Sequence, residues 1–149
     1  MGPIMKAVIM VGASGSGKST VTVTTNHTIC SADLLTWDAD GFHPDRLGKA
    51  HAQCLRAFIE ALNSGQSAIC DNTNCSIEEI SPYIAVSRAY GVEPLILILD
   101  PGLDVCLARN AERPKCRQVP NFAVERQYKN MKKLLRDWPP FWPKITTEF

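Results

Sequence analysis

The stretch Gly12-Ala13-Ser14-Gly15-Ser16-Gly17-Lys18-Ser19 constrains this 149-residue chain more than any other. It follows directly on the apolar run Ala7-Val8-Ile9-Met10-Val11. It satisfies G-x-x-x-x-G-K-[ST] at every fixed position, with the apolar strand before it and the helix after it that the pattern needs. Its glycines permit backbone torsions closed to other residues, so consecutive N–H groups can turn inward and ring an anion. A helix beginning near Gly17 adds its positive end at the same point. Lys18 then reaches the β- and γ-phosphates as a point charge, and the Ser19 hydroxyl takes one position on Mg²⁺. A turn without a ligand gives no reason for a lysine aimed at its centre. Residues 12–19, with Thr20 behind them, are the expected triphosphate cradle, for ATP with Mg²⁺.

A chain of this length fits one domain over residues 1–149, large enough to bury about two thirds of its unfolded surface. Hydrophobic residues at 45% and charged residues at 21% are the composition of an ordinary globular protein. The net charge of +1 means that bulk electrostatics does not advertise nucleic acid, so any such binding rests on a local patch. The cysteines at 30, 54, 70, 75, 106 and 116 form no C-x-x-C pair and no Cys/His zinc spacing. Most lie in apolar runs, where a thiol acts as a small hydrophobe, and a reduced, cytoplasmic compartment is the simpler expectation. No apolar run approaches ~20 residues and no signal-like start is visible, so neither a membrane span nor export is expected.

Along the chain, residues 19–26 read as a short helix despite a Val/Thr-rich sequence of weak helix propensity. Residues 27–32 read as a second strand ending at Asp33. A carboxylate at the C-terminal end of a strand in an open α/β sheet lies in the ligand crevice, where it can accept the proton of an attacking hydroxyl. A helix cap or a position near Mg²⁺ is the structural alternative for Asp33. Residues 36–43, with Asp38 and Asp40, read as a polar loop. Residues 44–64 carry Leu47, Ala50, Cys54, Ala57, Phe58, Ala61 and Leu62 at helical spacing before Gly65.

A third strand over 66–70 runs into Asp71-Asn72-Thr73-Asn74, a second polar cluster at a strand exit and a candidate substrate contact. Ser76-Ile77-Glu78-Glu79 has capping-box spacing and starts a helix to about residue 90. Residues 92–99 form the most apolar segment, within which 94–99 is long enough for a strand buried on both faces, ending at Asp100. A helix over 103–112 carries Arg109, Asn110 and Arg113 at its end, and a basic loop with Lys115 and Arg117 follows between Pro114 and Pro120. A last helix begins at Phe122 and places Lys129, Lys132, Lys133 and Arg136 on a face read as solvated. The tail from Trp138 through Pro143 cannot continue it and is expected to pack back, with residues 145–149 as an edge strand.

This alternation implies a three-layer α/β fold, a parallel sheet of four or five strands with helices on both faces. Residues 12–19, Asp33, Asp71, Asn72 and Asp100 then share one rim, and residues 109–120 can fold over it as a lid. That layout suits phosphoryl transfer: Lys18 and Asp33 in catalysis with Arg113 or Arg117 as the transition-state arginine, Arg109 on the nucleotide, and Asp33, Asp71, Asn72, Asn74 and Arg117 toward the acceptor.

The residues from Gly12 through Thr20, then Ser31-Ala32-Asp33, Asp71-Asn72-Thr73-Asn74, Leu107-Ala108-Arg109-Asn110 with Arg113, and Val119-Pro120 before Tyr128-Lys129-Asn130-Met131 resemble phage-type 5′-polynucleotide kinases. More broadly they resemble the zeta-toxin-like and AAA_33 branch of P-loop kinases. The resemblance covers about residues 8–133 in the same order. It implies a P-loop NTPase fold, transfer of the ATP γ-phosphate to a nucleic-acid 5′-hydroxyl, Asp33 as general base, Lys18 and Ser19 as phosphate and Mg²⁺ ligands, and Arg113 as lid arginine. The sequence departs from the pattern where Leu34-Leu35-Thr36 replaces a substrate-gripping arginine and where Asn72 stands between Asp71 and Thr73. Two other readings are a kinase for a small hydroxyl compound and a nucleotide-binding switch or ATPase without an acceptor.

Overall fold

The computed structural model describes residues 5–18, 27–32, 36–38 and 40–148. Its centre is a five-stranded, fully parallel sheet of β1 (Ala7–Val11), β2 (Thr28–Cys30), β5 (Ala68–Cys70), β6 (Leu95–Ile98) and β7 (Ile145–Glu148), in the order β2-β5-β1-β6-β7. The central strand β1 is buried along its whole length. Its two faces go to different clusters, as period-2 alternation requires. Ala7, Ile9 and Val11 join Phe58, Leu62, Ile80, Ile84 and Met131, while Val8 and Met10 join Ile69, Leu97 and Leu99.

The first cluster is built by three helices: α1 (Leu47–Asn63), α2 (Ile77–Ala89) and α4 (Asn121–Arg136). In α1 the buried residues Ala50, Cys54, Phe58, Ala61 and Leu62 trace one helical stripe. Phe58 meets Tyr83 of α2 edge-on, with ring centroids 5.1 Å apart. The helix stops where expected: Gly65 takes φ +77°, its N–H reaches Leu62 O at 3.0 Å, and Gln66 N–H reaches Ala61 O at 2.8 Å, the paired closure of a Schellman cap. At its start, Pro44–Arg46 form a 3₁₀ turn instead of α-helix.

The capping box of α2 forms in a shifted version. Ser76 accepts from Glu79 N–H at 3.2 Å, but Glu79 Oε2 reaches back past Ser76, accepting from Cys75 N–H at 3.3 Å and Thr73 Oγ at 3.4 Å. The helix therefore holds the turn that leaves β5.

Three expectations change. The polar loop over 36–43 contains a small antiparallel hairpin, β3 (Trp37–Asp38) with β4 (Gly41–Phe42), pairing Trp37 with Phe42 and Asp38 with Gly41. Strands of two residues carry no readable periodicity. The strand read as buried on both faces is so only in part, since Leu95 of β6 is 37% exposed while Ile96 and Ile98 are fully covered; β6 is followed on its outer side only by the edge strand β7, with a register shift between Ile96 and Leu97. The second strand is shorter than residues 27–32, spanning Thr28–Cys30. The helix expected over 19–26 lies outside the described residues.

The tail folds back against the core. Trp138 and Trp142 lie edge to face with centroids 5.0 Å apart, and Trp138 Nε1 donates to Pro143 O at 2.8 Å, which delivers the chain into β7. Among the described residues no helix is long and apolar enough to cross a membrane.

Candidate active site

Strands β1, β5 and β6 end along one rim, at Gly12, Asp71 and Leu99-Asp100. The loop after β1 is stitched on both sides: Gly12 N–H donates to Thr73 O at 3.0 Å, and Leu99 N–H to Val11 O at 2.8 Å. A Cβ on Gly12 would stand 2.5 Å from Ser16 Oγ and 3.0 Å from Leu99 O. One on Gly15 would stand 2.4 Å from Cys106 O, and Gly15 also holds φ +83°. The loop is thus wound so tightly between α3 (Leu103–Glu112) and the sheet that these positions admit no side chain.

Within the loop, Lys18 Nζ donates to Gly12 O at 2.7 Å and Ala13 O at 3.1 Å, placing its ammonium over the loop's own first residues. Ser16 Oγ is buried and, among the described residues, has no hydrogen-bond partner. A buried hydroxyl without a partner inside a ring of glycine backbone is the kind of group a bound anion satisfies. The residues present therefore fit a phosphate chain. Ser19 and Thr20 of the expected cradle, and Asp33, the expected base, lie outside the described residues.

Gln127 of α4 is a loop contact that sequence reasoning missed: its Oε1 accepts from Ser14 N–H at 2.9 Å. The only signal is its place on the buried stripe, three residues after Val124 and four before Met131. Arg109 of α3 comes to the loop from the other side, its Nη1 3.5 Å from Gly15 O, with the side chain largely exposed.

The basic loop is braced at its root. Asn110, 2% exposed, donates from Nδ2 to Val119 O at 2.6 Å and accepts from Val119 N–H at 3.0 Å, clamping the segment's end onto α3. Gln118 Nε2 donates to Ala111 O at 3.1 Å and Arg113 O at 2.8 Å. Between these ties Lys115–Arg117 form a 3₁₀ turn that packs against β4, so the loop meets the hairpin across the rim. Arg113 is half-buried and Arg117 exposed.

The polar cluster after β5 divides. Asp71 is half-buried at the rim, its N–H donating to Cys30 O at 2.8 Å. Asn72 is buried: its Oδ1 accepts from Ala32 N–H at 2.8 Å and its Nδ2 lies 3.4 Å from Cys54 Sγ. Asn74, 1% exposed at φ +49°, donates to Met10 O at 2.8 Å. The hydrogen bonds of both asparagines hold strand exits to one another.

Asp100 at the end of β6 is also engaged. It accepts from Gly102 N–H at 3.2 Å and forms an ion pair with Lys132, one of the cations read as solvated. Burial pulls its carboxyl upward, but hydrogen bonds from Lys132 and Tyr128 outweigh that and leave it below its ordinary value.

All six cysteine thiols are free. Burial pushes Cys30 and Cys75 up to about 12, and it raises Cys106 beside the loop as well. Cys54 goes the other way: a hydrogen bond from Cys70, then one from Tyr83, stabilises its thiolate against the effect of burial. A cleft of about 270 Å³ lies elsewhere, between the start of α2 and the end of α4, lined among others by Ser76, Glu78, Asn130, Lys133 and Asp137. It includes no residue of the glycine loop.

Comparison with known proteins agrees with this geometry. The bifunctional polynucleotide phosphatase/kinase of Schizosaccharomyces pombe is 31% identical over 85 residues, a match that covers 57% of this chain and 19% of that protein's length. Among solved structures, a chain of the Pnkp1/Rnl/Hen1 RNA repair complex superposes with a TM-score of 0.77 at 19% identity, covering 99% of this chain and 50% of that one. A gluconokinase from Sinorhizobium meliloti superposes at 0.63 with 14% identity, covering 99% of this chain and 84% of that one. The APS kinase CysC of Mycobacterium tuberculosis, solved with AMPPNP and APS, superposes at 0.56 with 17% identity, covering 91% of this chain and all of the other. These structures share the P-loop kinase fold. The family model for AAA_33, described as an AAA domain, matches residues 8–137, and the chain belongs to that family.

Proposed function

We propose that this chain is an ATP-dependent kinase that transfers the γ-phosphate to a hydroxyl, and that the hydroxyl is the 5′ end of a polynucleotide. The observation that carries the first half is the loop itself: glycine backbone pressed against Cys106 O, a buried Ser16 hydroxyl awaiting a partner, and Lys18 folded over Gly12 and Ala13. The second half is supported by the relative named as a polynucleotide phosphatase/kinase and by the likeness to the Pnkp1 chain. The chain spans 19% of that relative's length, so the proposal concerns the kinase step alone.

In this reading the loop N–H groups and the Ser16 hydroxyl bind the phosphate chain, and Lys18 exchanges its two carbonyl partners for the β- and γ-phosphates. Arg109, beside Gly15, contacts the nucleotide. Mg²⁺, held by Ser19, would neutralise charge on the β- and γ-phosphates. The acceptor oxygen attacks phosphorus as the bond to the bridging oxygen of ADP breaks, and Asp33 takes the hydroxyl proton. Arg113 and Arg117 bring positive charge over the transferring group from the lid. Asp71 orients the acceptor from the rim, and Asn72 and Asn74 fix the floor of the acceptor crevice.

The test is phosphate transfer from labelled ATP to a panel of 5′-hydroxyl oligonucleotides and small hydroxyl metabolites. Oligonucleotide labelling that disappears in Lys18→Ala is the expected result. In Asp33→Asn, transfer falls ~10²- to 10⁴-fold while ATP binding persists. A second reading, a kinase for a small hydroxyl compound, is favoured by Leu34-Leu35-Thr36, where no arginine is available to grip a substrate phosphate. It wins if a metabolite is labelled and no oligonucleotide is. ATP turnover undiminished in Asp33→Asn, with no acceptor found, means a switch or ATPase.

A further inference from the structure

Half of the chain's 16 lysines and arginines lie between Arg113 and Arg136, among which Glu125 is the single carboxylate. The rest of the chain holds the other eight cations against 14 carboxylates. A molecule of net charge +1 is thus strongly polarised, and its positive end is the lid and α4.

Helix α4 sorts these charges by face. Ala123, Val124, Met131 and Leu134 are buried against the core. Phe122, Arg126, Lys129, Lys133 and Arg136 recur three or four residues apart on the opposite, exposed face. They form one stripe about 21 Å long at the helical rise. Lys132, at its side, is bound to Asp100, and Arg136 pairs with exposed Asp137 at 3.1 Å. Among the described residues Arg126, Lys129 and Lys133 have no carboxylate at ion-pair distance. The stripe begins with an aromatic ring, Phe122, which is 66% exposed and lies under the Arg126 guanidinium at 6.0 Å.

We propose that this outer face of α4 is a binding track for single-stranded nucleic acid, separate from the acceptor crevice. Arg126, Lys129 and Lys133 contact successive phosphates, and Phe122 with Arg126 gives an unpaired base a stacking platform. An acidic protein would use the cations equally well but has no call on an exposed ring beside a guanidinium. A duplex keeps its base faces covered and cannot use that ring either. The track begins at Phe122, two residues after the lid ends at Pro120.

The experiment is fluorescence anisotropy with a 5′-phosphorylated oligothymidylate across a salt series. The phosphorylated end cannot serve as phosphoacceptor, so the result stands apart from the kinase reading. For the wild type, log K falls with log salt by about 0.7 per phosphate contacted, and Lys129→Glu/Lys133→Glu lowers that slope by about 1.4. Phe122→Ala weakens binding about five-fold or more. Lys129→Ala/Lys133→Ala, which favours helix, provides the same comparison if charge reversal disturbs folding. Unchanged affinity and slope in folded double variants overturn the proposal. So does tighter binding of polyglutamate than of the strand, which assigns the face to an acidic protein.

Discussion

At Gly15 the chain tolerates no side chain, for two reasons that add. The backbone there is left-handed at φ +83°, and the Cβ of any larger residue would fall 2.4 Å from Cys106 O, a backbone atom fixed in α3. Left-handed torsion alone costs an L-residue ~1–2 kcal/mol, and the clash must be relieved by moving a helix or the loop. Gly15→Ala is therefore expected to destabilise the protein by ~2 kcal/mol or more and to weaken ATP binding at least ~10-fold. Thermal unfolding and calorimetry check the two parts, and a variant that binds ATP normally would remove the reason for the glycine. Gly15 stands at a variable position of G-x-x-x-x-G-K-[ST], so what marks it in the sequence is its place among the loop's three glycines, Gly12, Gly15 and Gly17. Gln127 and Asn110 were not legible in the same way: each uses its side-chain amide on a backbone partner, Ser14 or Val119, that only the fold brings to it.

The lid shows what such a contact does for an element. Its root hangs on Asn110, which satisfies both the N–H and the C=O of Val119 in a nearly dry site. In Asn110→Ala both backbone groups lose their partner, at ~1–3 kcal/mol each where they remain buried. The loss falls on the segment carrying Arg113 and Arg117, while Lys18 and the glycine loop are untouched. The expected outcome is a fall in kcat of ~10-fold or more with ATP affinity nearly unchanged. Single-turnover transfer beside equilibrium ATP binding measures this split, and equal losses in both would show that the loop and lid are not separable. Elements with long periodic stripes, α1 and α4 above all, were readable from sequence because burial repeats along them. The hairpin over Trp37–Asp38 and Gly41–Phe42 was not, since two residues per strand are stabilised by what they pack against. The expected burial of Leu95 failed because hydrophobicity is local to a residue, whereas cover depends on what packs on its face of the sheet, and Leu97 on the same face is likewise only half-buried.

Across the whole molecule, buried thiols take up part of the core. Cys30, Cys54, Cys70 and Cys75 all sit in or against it. That choice has a consequence for pH. Cys30 and Cys75 have folded values pushed up to about 12 by burial, against an ordinary value of 9.0. Below pH 9 both folded and unfolded thiols are protonated, and these groups contribute their full stability. As pH rises from 9 toward 12, the unfolded chain releases these protons while the folded chain retains them, so the unfolded state gains and stability falls. Denaturant midpoints followed from pH 8 to pH 11 should therefore drop progressively above about pH 9. Cys30→Ala/Cys75→Ala, though less stable at pH 8 through lost packing, should show a shallower decline over the same range. Parallel declines in the two proteins would mean that the alkaline limit is set by other groups, Tyr83 first among them, whose hydroxyl is held neutral by burial beside Cys70 and Cys54.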